Sequence, residues 1–498
     1  MKLLKKLMVV FVAALMTMSL TTRVYADDEA VDPFKPETTV KVTVNGVMPG
    51  DTLHLYKIMT PTLNNKNEIV FNWVAEGIED ALKDLDNESG YEPTAAVQKA
   101  LAKLIAEGKI DVSGNGDFKV TAEGTSAVAN VAPGYYVALV KNGTGSLEAK
   151  VIYQNMIINA IPVPDSNTGK YVKHEDITVD VKKTTETLTK TQMEAGAADY
   201  VATTVEGYKI GDYIPFKIVT NIPSYPTNSK VAKFEISDSP TGLNIVSSEA
   251  YPVVVKVAGT VVAAGSSTYS LSVTGGALKI EFVKDYILAN PGATVEVTYS
   301  AELLGKDSDI EVDITNNKAK IKYNNNPDEE SYNEPETEIK QKTFNFTVLK
   351  HEKGKETVKL AGAKFSLWTA AENGTKITVI KDGDVYRPVK SSDTAPTEEV
   401  LIETNANGVA TVVGLANATY YLQEEVAPAG YKKLDTRVEC AASETTSTTE
   451  IDYKIPNTPG ATLPSTGGIG TTIFHIAGAV LVLGAGILLI SKKRMNNN

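Results

Sequence analysis

The chain has 498 residues, a net charge of −12, four histidines and a single cysteine. This acidity argues against nucleic acid or an anionic membrane surface as partner. The lone Cys440 excludes an internal disulfide. No His-bearing constellation surrounds Cys440, so it reads as a buried or incidental thiol. No HExxH, CxxC, Walker loop or GxSxG occurs, so neither a metal, a cofactor nor a turnover enzyme is expected.

In chain order, a basic start (Lys2, Lys5, Lys6) precedes an apolar run over residues 7–20 and the small-residue pattern Val24-Tyr25-Ala26. That is the pattern of a secretory signal peptide, with cleavage expected after Ala26. The export it implies fits a chain without a cysteine pair. Beyond it, short runs rich in Val, Ile, Thr and Tyr alternate with Gly, Asn and Pro; examples are residues 39–44, 253–257, 294–300 and 343–349. The spacing predicts an all-β protein: tandem Ig-like β-sandwich domains in an elongated row. Residues 73–110 are the exception. There Ala96, Val97, Ala100, Leu101, Leu104 and Ile105 recur at helical spacing, predicting a helical insertion that packs on its own N-terminal domain.

Two breaks divide the remainder. Residues 162–169 are turn-rich, and residues 324–336 are polar and acidic like a linker. Expected domains are a leader at 1–26, then 27–165, 166–330 and 331–462, then a terminal segment at 463–498. That last segment contains Leu463-Pro464-Ser465-Thr466-Gly467, an apolar stretch over 469–490, and the basic cluster Lys492-Lys493-Arg494. The apolar stretch is long enough to span a bilayer as one helix, and the basic cluster would hold its end in the cytoplasm.

The three parts in that order, closing a chain with a leader, resemble the cell-wall sorting signal of sortase substrates. The resemblance implies that a sortase cysteine attacks the Thr466 carbonyl and releases Gly467 onward. The precursor would lodge briefly in the cytoplasmic membrane, and the product would be extracellular and covalently attached to peptidoglycan.

A second resemblance covers nearly all of the third domain. Tyr420-Tyr-Leu422-Gln-Glu424-Glu-Val-Ala427-Pro428-Ala-Gly430-Tyr431 resembles the E-box of collagen-adhesin B-type pilin domains, departing where Glu425 replaces a usual Thr. Leu360-Ala-Gly-Ala-Lys-Phe365-Ser-Leu367 and Gly408-Val-Ala-Thr-Val-Val-Gly414-Leu415 match the same pattern. In that family a first-strand lysine bonds to a last-strand asparagine, catalysed by the E-box glutamate. Strand alternation places the residues: Phe344, Phe346 and Val348 lead to Lys350, and Ile451, Tyr453 and Ile455 lead to Asn457. A lysine and an asparagine aimed into an apolar interior are poor core residues unless paired. Burial favours a neutral amine and a neutral acid, so Lys350 can attack the Asn457 carboxamide while Glu424 shuttles protons.

The middle domain repeats the logic. Phe234-Glu-Ile-Ser-Asp238 and Gly207-Tyr-Lys-Ile-Gly-Asp212 resemble the second domain of such pilins, where an aspartate replaces the glutamate. Ile177, Val179 and Val181 lead to Lys183, and Asn317 shares parity with Ala319, Ile321 and Tyr323. The expected set is Lys183, Asn317 and Asp238, with Lys182 as the rival lysine. No cross-link is expected in the N-terminal domain.

The resemblance implies the backbone subunit of a pilus polymerised by sortase from Thr466 onto an inter-domain lysine of the next subunit. The usual Tyr-Pro-Lys motif is missing, which leaves Lys173, Lys182 and Lys170 as candidates, with Lys173 slightly ahead. Implied partners are pilus-assembling and housekeeping sortases, copies of the same chain, accessory pilins, peptidoglycan and a possible host surface ligand. A solitary sortase-anchored adhesin is the alternative function. A wall-anchored hydrolase is remote because its catalytic motifs are missing.

Overall fold

The structure is a computed structural model that describes residues 32–495, apart from 84–93, 142–150, 227–228, 306–313, 326–329, 395, 447–448 and 461–469. The expected leader and the Leu463–Gly467 motif lie outside the described residues. The chain forms two compact units, one comprising the chain to Val205 with Tyr213–Leu304 and Thr315–Gln341, the other Glu206–Asp212, Gly305–Ile314 and Lys342 onward.

The first unit holds two sandwiches. In the N-terminal one, a sheet of Val40–Asn45 flanked by Ile177–Asp180 and Ser126–Val131 faces a five-stranded sheet. The larger sheet is built around Thr52–Leu63 and Gly134–Lys141, and it is apolar on both faces. Leu53, Leu55, Tyr136 and Ala138 fill the space between the sheets. On the opposite face Tyr56, Ile58, Tyr135 and Val137 receive the helix Ala95–Ala106 through Val97, Leu101, Leu104 and Ile105. Two buried faces explain the unbroken apolar run of Gly134–Lys141, since a strand with one wet face would alternate. The helical insertion packs as its spacing predicts, except that Ala96 is exposed. Thr94 caps it by accepting the Val97 N–H at 3.3 Å.

Both expected domain breaks shift. The turn at residues 165–169 closes a hairpin between Val163–Pro164 and Tyr171–Val172. The chain then continues as Ile177–Asp180, parallel to Val40–Asn45, and Lys183–Thr185, antiparallel to Val151–Tyr153. The N-terminal sandwich therefore runs to Thr185, not 165. Likewise, part of the 324–336 stretch folds back: Tyr332–Asn333 pairs with Tyr323 and Asn324, and Glu336–Lys342 adds to the same strand. Turn chemistry marks a reversal of the chain, and a hairpin satisfies it as well as a linker does.

Glu186 falls between the two sandwiches of this unit, after Thr185 and before the strand Leu188–Met193. Desolvation alone pushes its carboxyl up to about 7 from the usual 4.5, and Tyr225 and Tyr323 lie within its electrostatic reach. A raised folded-state value means that the folded chain holds this proton after the unfolded chain has lost it. The unit is thus expected to lose stability as pH rises from about 4.5 to 7, by no more than about 3 kcal/mol. Thermal melts across that range should show the slope, and Glu186→Gln should flatten it; an equal slope in the variant would assign the effect elsewhere.

The middle sandwich sets Leu188–Met193, Tyr213–Asn221 and Thr294–Leu303 in one sheet. Ala277–Phe282, Phe234–Thr241 and Ile314–Asn324 lie in the other. In the second unit, Phe344–Glu352 is the central strand of a sheet and pairs antiparallel with Val409–Leu415 and in parallel with Tyr453–Asn457. The facing sheet is carried by Lys364–Trp368, Ala418–Val426 and Val438–Ala442. Phe346, Val348, Phe365, Leu367, Val412, Leu422 and Ile455 fill the space between them. The chain ends in an apolar helix, Gly470–Met495, whose last turn holds Lys492, Lys493 and Arg494. Its 26 residues span about 39 Å at 1.5 Å per residue, enough to cross a bilayer.

Candidate functional site

Lys350, Glu424 and Asn457 meet in the core of the second unit, all with side chains sealed from solvent. Alternation along Phe344–Glu352 carries Lys350 inward, and the parallel neighbour Tyr453–Asn457 brings Asn457 opposite Glu352. On the expected inward face of the last strand, Tyr453 is half-buried and Ile455 buried. Ile451 precedes the strand and is exposed. Glu424 reaches the same point from the facing sheet, along a strand whose inward residues are Tyr420, Leu422 and Glu424.

The three side chains form a closed set of contacts. Lys350 Nζ lies 3.0 Å from Glu424 Oε1 and donates to Asn457 Oδ1. Asn457 Nδ2 donates to Glu424 Oε1 at 2.9 Å and Oε2 at 3.1 Å, and the Leu434 N–H donates to Oε2 at 2.8 Å. Phe365 lies beneath the amine, with its ring centre 5.3 Å from Nζ. Burial lowers the Lys350 amine against the opposing pull of Glu424. Gly408 explains one matched motif position: its φ of +70° is left-handed, and a Cβ there would stand 2.6 Å from the Lys350 carbonyl oxygen. Since Lys350 N–H also donates to Gly408 O at 2.7 Å, any side chain at 408 would displace the strand that aims the lysine. Glu425, the departure from the E-box pattern, faces outward and accepts from Ser366 Oγ at 2.6 Å. Cys440 is buried across from Tyr420 and its thiol is pushed up to about 12, mainly by desolvation.

The middle sandwich presents a second set, with one change from the expectation. Asp238 and Asn317 are both fully buried on adjacent strands, Asp238 opposite Ala319 and Asn317 two residues along on the same face. Their lysine is Lys190, not Lys183. Lys190 projects from the facing sheet, is 3% exposed, and donates to Asp238 Oδ2. Lys183 is exposed on the N-terminal sandwich, where its Nζ donates to Gly46 O at 2.7 Å. Lys182 is also exposed there, and its carbonyl accepts the Gln154 N–H at 2.9 Å. The extrapolation from Ile177, Val179 and Val181 fails because those residues pack on the N-terminal core, one strand too early. Along Leu188–Met193 the fully buried positions are Lys190 and Gln192, so no apolar alternation announces the strand. The only available signal is the parity of Leu188, Lys190 and Gln192.

Desolvation brings the Lys190 amine down to about 8 and pushes Asp238 up. Phe216 and Tyr299 cover the amine, with ring centres at 5.5 and 5.9 Å. Among the described residues, Asp238 Oδ1 and both polar atoms of the Asn317 amide have no hydrogen-bond partner of ordinary geometry. Orphan polar atoms at such depth are costly in a finished core.

The acceptor candidates are simpler. Lys170 and Lys173 are exposed in and after the 163–172 hairpin, and Lys173 Nζ stands 3.8 Å from Asp176. Among the described residues no cluster of three or more His, Cys, Asp or Glu could hold a metal ion.

Residues 344–456 match the SpaA prealbumin-like fold domain, and residues 455–497 match the LPXTG cell wall anchor motif. No curated protein matches the chain. Among solved structures, the T6 backbone pilin of serotype M6 Streptococcus pyogenes is 20% identical with a TM-score of 0.54, covering 81% of this chain and 80% of that one. The full-length major pilin SpaD from Corynebacterium diphtheriae is 17% identical with a TM-score of 0.49, covering 85% and 98%. The chain is thus a cell-wall-anchored surface protein with the fold of Gram-positive major pilins.

Proposed function

We propose that this chain is the backbone subunit of a covalently polymerised pilus, reinforced by two self-formed isopeptide bonds, Lys350–Asn457 and Lys190–Asn317. The observation that carries the reading is the sealed contact of Lys350, Glu424 and Asn457 between the first and last strands of one sandwich. In it the neutral Lys350 amine attacks Asn457 Cγ. Glu424 takes the proton released at Nζ and delivers it to Nδ2, the C–Nδ2 bond breaks, and ammonia leaves. The leaving nitrogen is already hydrogen-bonded to the carboxyl that protonates it. Asp238 performs the same transfer between Lys190 and Asn317. Each reaction turns over once, so the carboxyl groups are catalytic without the protein being an enzyme.

Polymerisation joins Thr466 of one subunit to a lysine of the next. Lys183, freed from the cross-link, joins Lys170, Lys173 and Lys182 as exposed candidates on the N-terminal sandwich. The sortases, accessory pilins and peptidoglycan complete the partner set. Muramidase extracts of the native cell wall, boiled in detergent and blotted, should show a ladder far above the subunit mass. Alanine at the acceptor lysine should collapse it to one band. A single band in the unaltered strain would overturn polymerisation and leave the solitary adhesin.

A further inference from the structure

The two buried carboxyl groups are held differently. Glu424 is fixed by a backbone donor, the Leu434 N–H, and by the amide of the asparagine that it activates. Asp238 has no backbone donor to match among the described residues. Its Oδ2 receives Lys190 Nζ and the hydroxyl of Tyr299, which donates at 2.5 Å, while its Oδ1 has no hydrogen-bond partner. Tyr299 is fully buried on the strand Thr294–Leu303, with its ring stacked on Phe216, 5.5 Å between centres. The Asn317 amide lies close enough to act on the same hydroxyl.

We infer that Tyr299 is a positioning residue for the middle cross-link: its hydroxyl orients the Asp238 carboxyl so that Oδ2 faces Lys190 and Oδ1 is left to exchange a proton with Asn317. The inference rests on the Lys190–Asn317 bond proposed above. A buried tyrosine hydroxyl needs some acceptor, and a neutral carbonyl would satisfy it. Here it takes the oxygen that the attacking amine also approaches, so two donors stabilise negative charge on Oδ2 and the carboxyl proton is left to Oδ1. That is the division of labour the reaction requires. One oxygen accepts the proton from Nζ as the Nζ–Cγ bond forms. The other gives a proton to Nδ2 as the Cγ–Nδ2 bond breaks and ammonia leaves. Without the hydroxyl, the carboxyl can rotate about its χ2 angle and present either oxygen to either partner. Tyr299 itself neither forms nor breaks a bond, so its effect is on rate and pH dependence.

The test follows bond formation in newly synthesised residues 27–462. Samples are quenched in denaturant at successive times, digested, and measured for the branched peptides that contain Lys190 or Lys350. In Tyr299→Phe the Lys190–Asn317 peptide should appear about 10–100-fold more slowly, the loss expected on deleting one donor to a charged acceptor. The Lys350–Asn457 peptide of the same molecules should keep its rate and serve as the internal clock. The alkaline limb of the middle bond's pH–rate profile should also move upward, because Asp238 loses a donor that stabilises its ionised form. Phe216→Leu, which loosens the same packing without touching the hydroxyl, should not move that limb. Equal rates for Tyr299→Phe and the unaltered chain would overturn the inference while leaving the cross-link standing. The same holds if Phe216→Leu reproduces the whole effect. Absence of the Lys190 peptide from the unaltered chain would instead overturn the cross-link itself, and the inference with it.

Discussion

Replacing Glu424 with alanine is expected to leave residues 27–462 heavier by one ammonia than the substitution alone accounts for, and to destabilise the C-terminal sandwich strongly. Two effects act in the same direction. The proposed Lys350–Asn457 bond would close a loop of 107 residues, and by analogy with a disulfide of that span its loss would remove about 4–5 kcal/mol. The variant also leaves the Lys350 amine in a core of Phe346, Phe365 and Val412 without its carboxyl partner. Removing one member of a buried pair typically costs about 3–5 kcal/mol. Glu424→Gln keeps the side-chain volume and should retain the same one ammonia with a milder loss of stability. Intact-mass measurement and thermal melting check both. An unaltered chain whose mass equals that calculated from its sequence would end the isopeptide reading for this domain.

The mechanical consequence follows from the register. Phe344–Glu352 and Tyr453–Asn457 lie side by side and parallel, with Lys350 opposite Ile455 and Asn457 opposite Glu352. Tension entering at the first strand and leaving past Asn457 would shear those strands apart if only hydrogen bonds joined them. The proposed bond from Lys350 to Asn457 would carry the load directly, and residues 351–456 would drop out of the force path. Cys440 plays no part: it is buried opposite Tyr420 and has no second cysteine to join.

What the sequence disclosed depended on whether polar function was announced by apolar surroundings. In the C-terminal domain it was. Phe344, Phe346 and Val348 share the inward face with Lys350, so alternation alone extends to the buried lysine. The glutamate was visible because it sits in a recognisable motif, Tyr420 to Tyr431. Asp238 and Asn317 were legible for the same reason, since Phe234, Ile236, Ala319, Ile321 and Tyr323 are all buried beside them. Lys190 was not. The strand that carries it buries a lysine and a glutamine, and Gln192 is satisfied by the Thr203 and Lys340 carbonyls at 2.9 and 2.7 Å. A strand that buries its polar residues against polar partners looks like a loop by hydrophobic periodicity. The nearest apolar alternation upstream, Ile177 to Val181, belongs to the preceding sandwich. The domain breaks were displaced for a related reason. Pro- and Asn-rich segments mark chain reversals, and only pairing shows whether the chain returns to the same sheet.

The displacement from Lys183 to Lys190 yields the second large expected effect. Lys190→Met keeps most of the length of the side chain but removes the amine proposed as nucleophile. The variant should retain one more ammonia than the substitution alone accounts for, and the branched peptide containing Asn317 should vanish. Lys183→Ala should leave both cross-links intact, because its amine bonds to the Gly46 carbonyl on the N-terminal sandwich. The stability lost in Lys190→Met should again be about 4–5 kcal/mol, since the loop that the proposed bond to Asn317 would close has a similar span. If instead Lys183→Ala abolished the branched peptide and Lys190→Met preserved it, the middle cross-link would have to be rebuilt around the N-terminal sandwich.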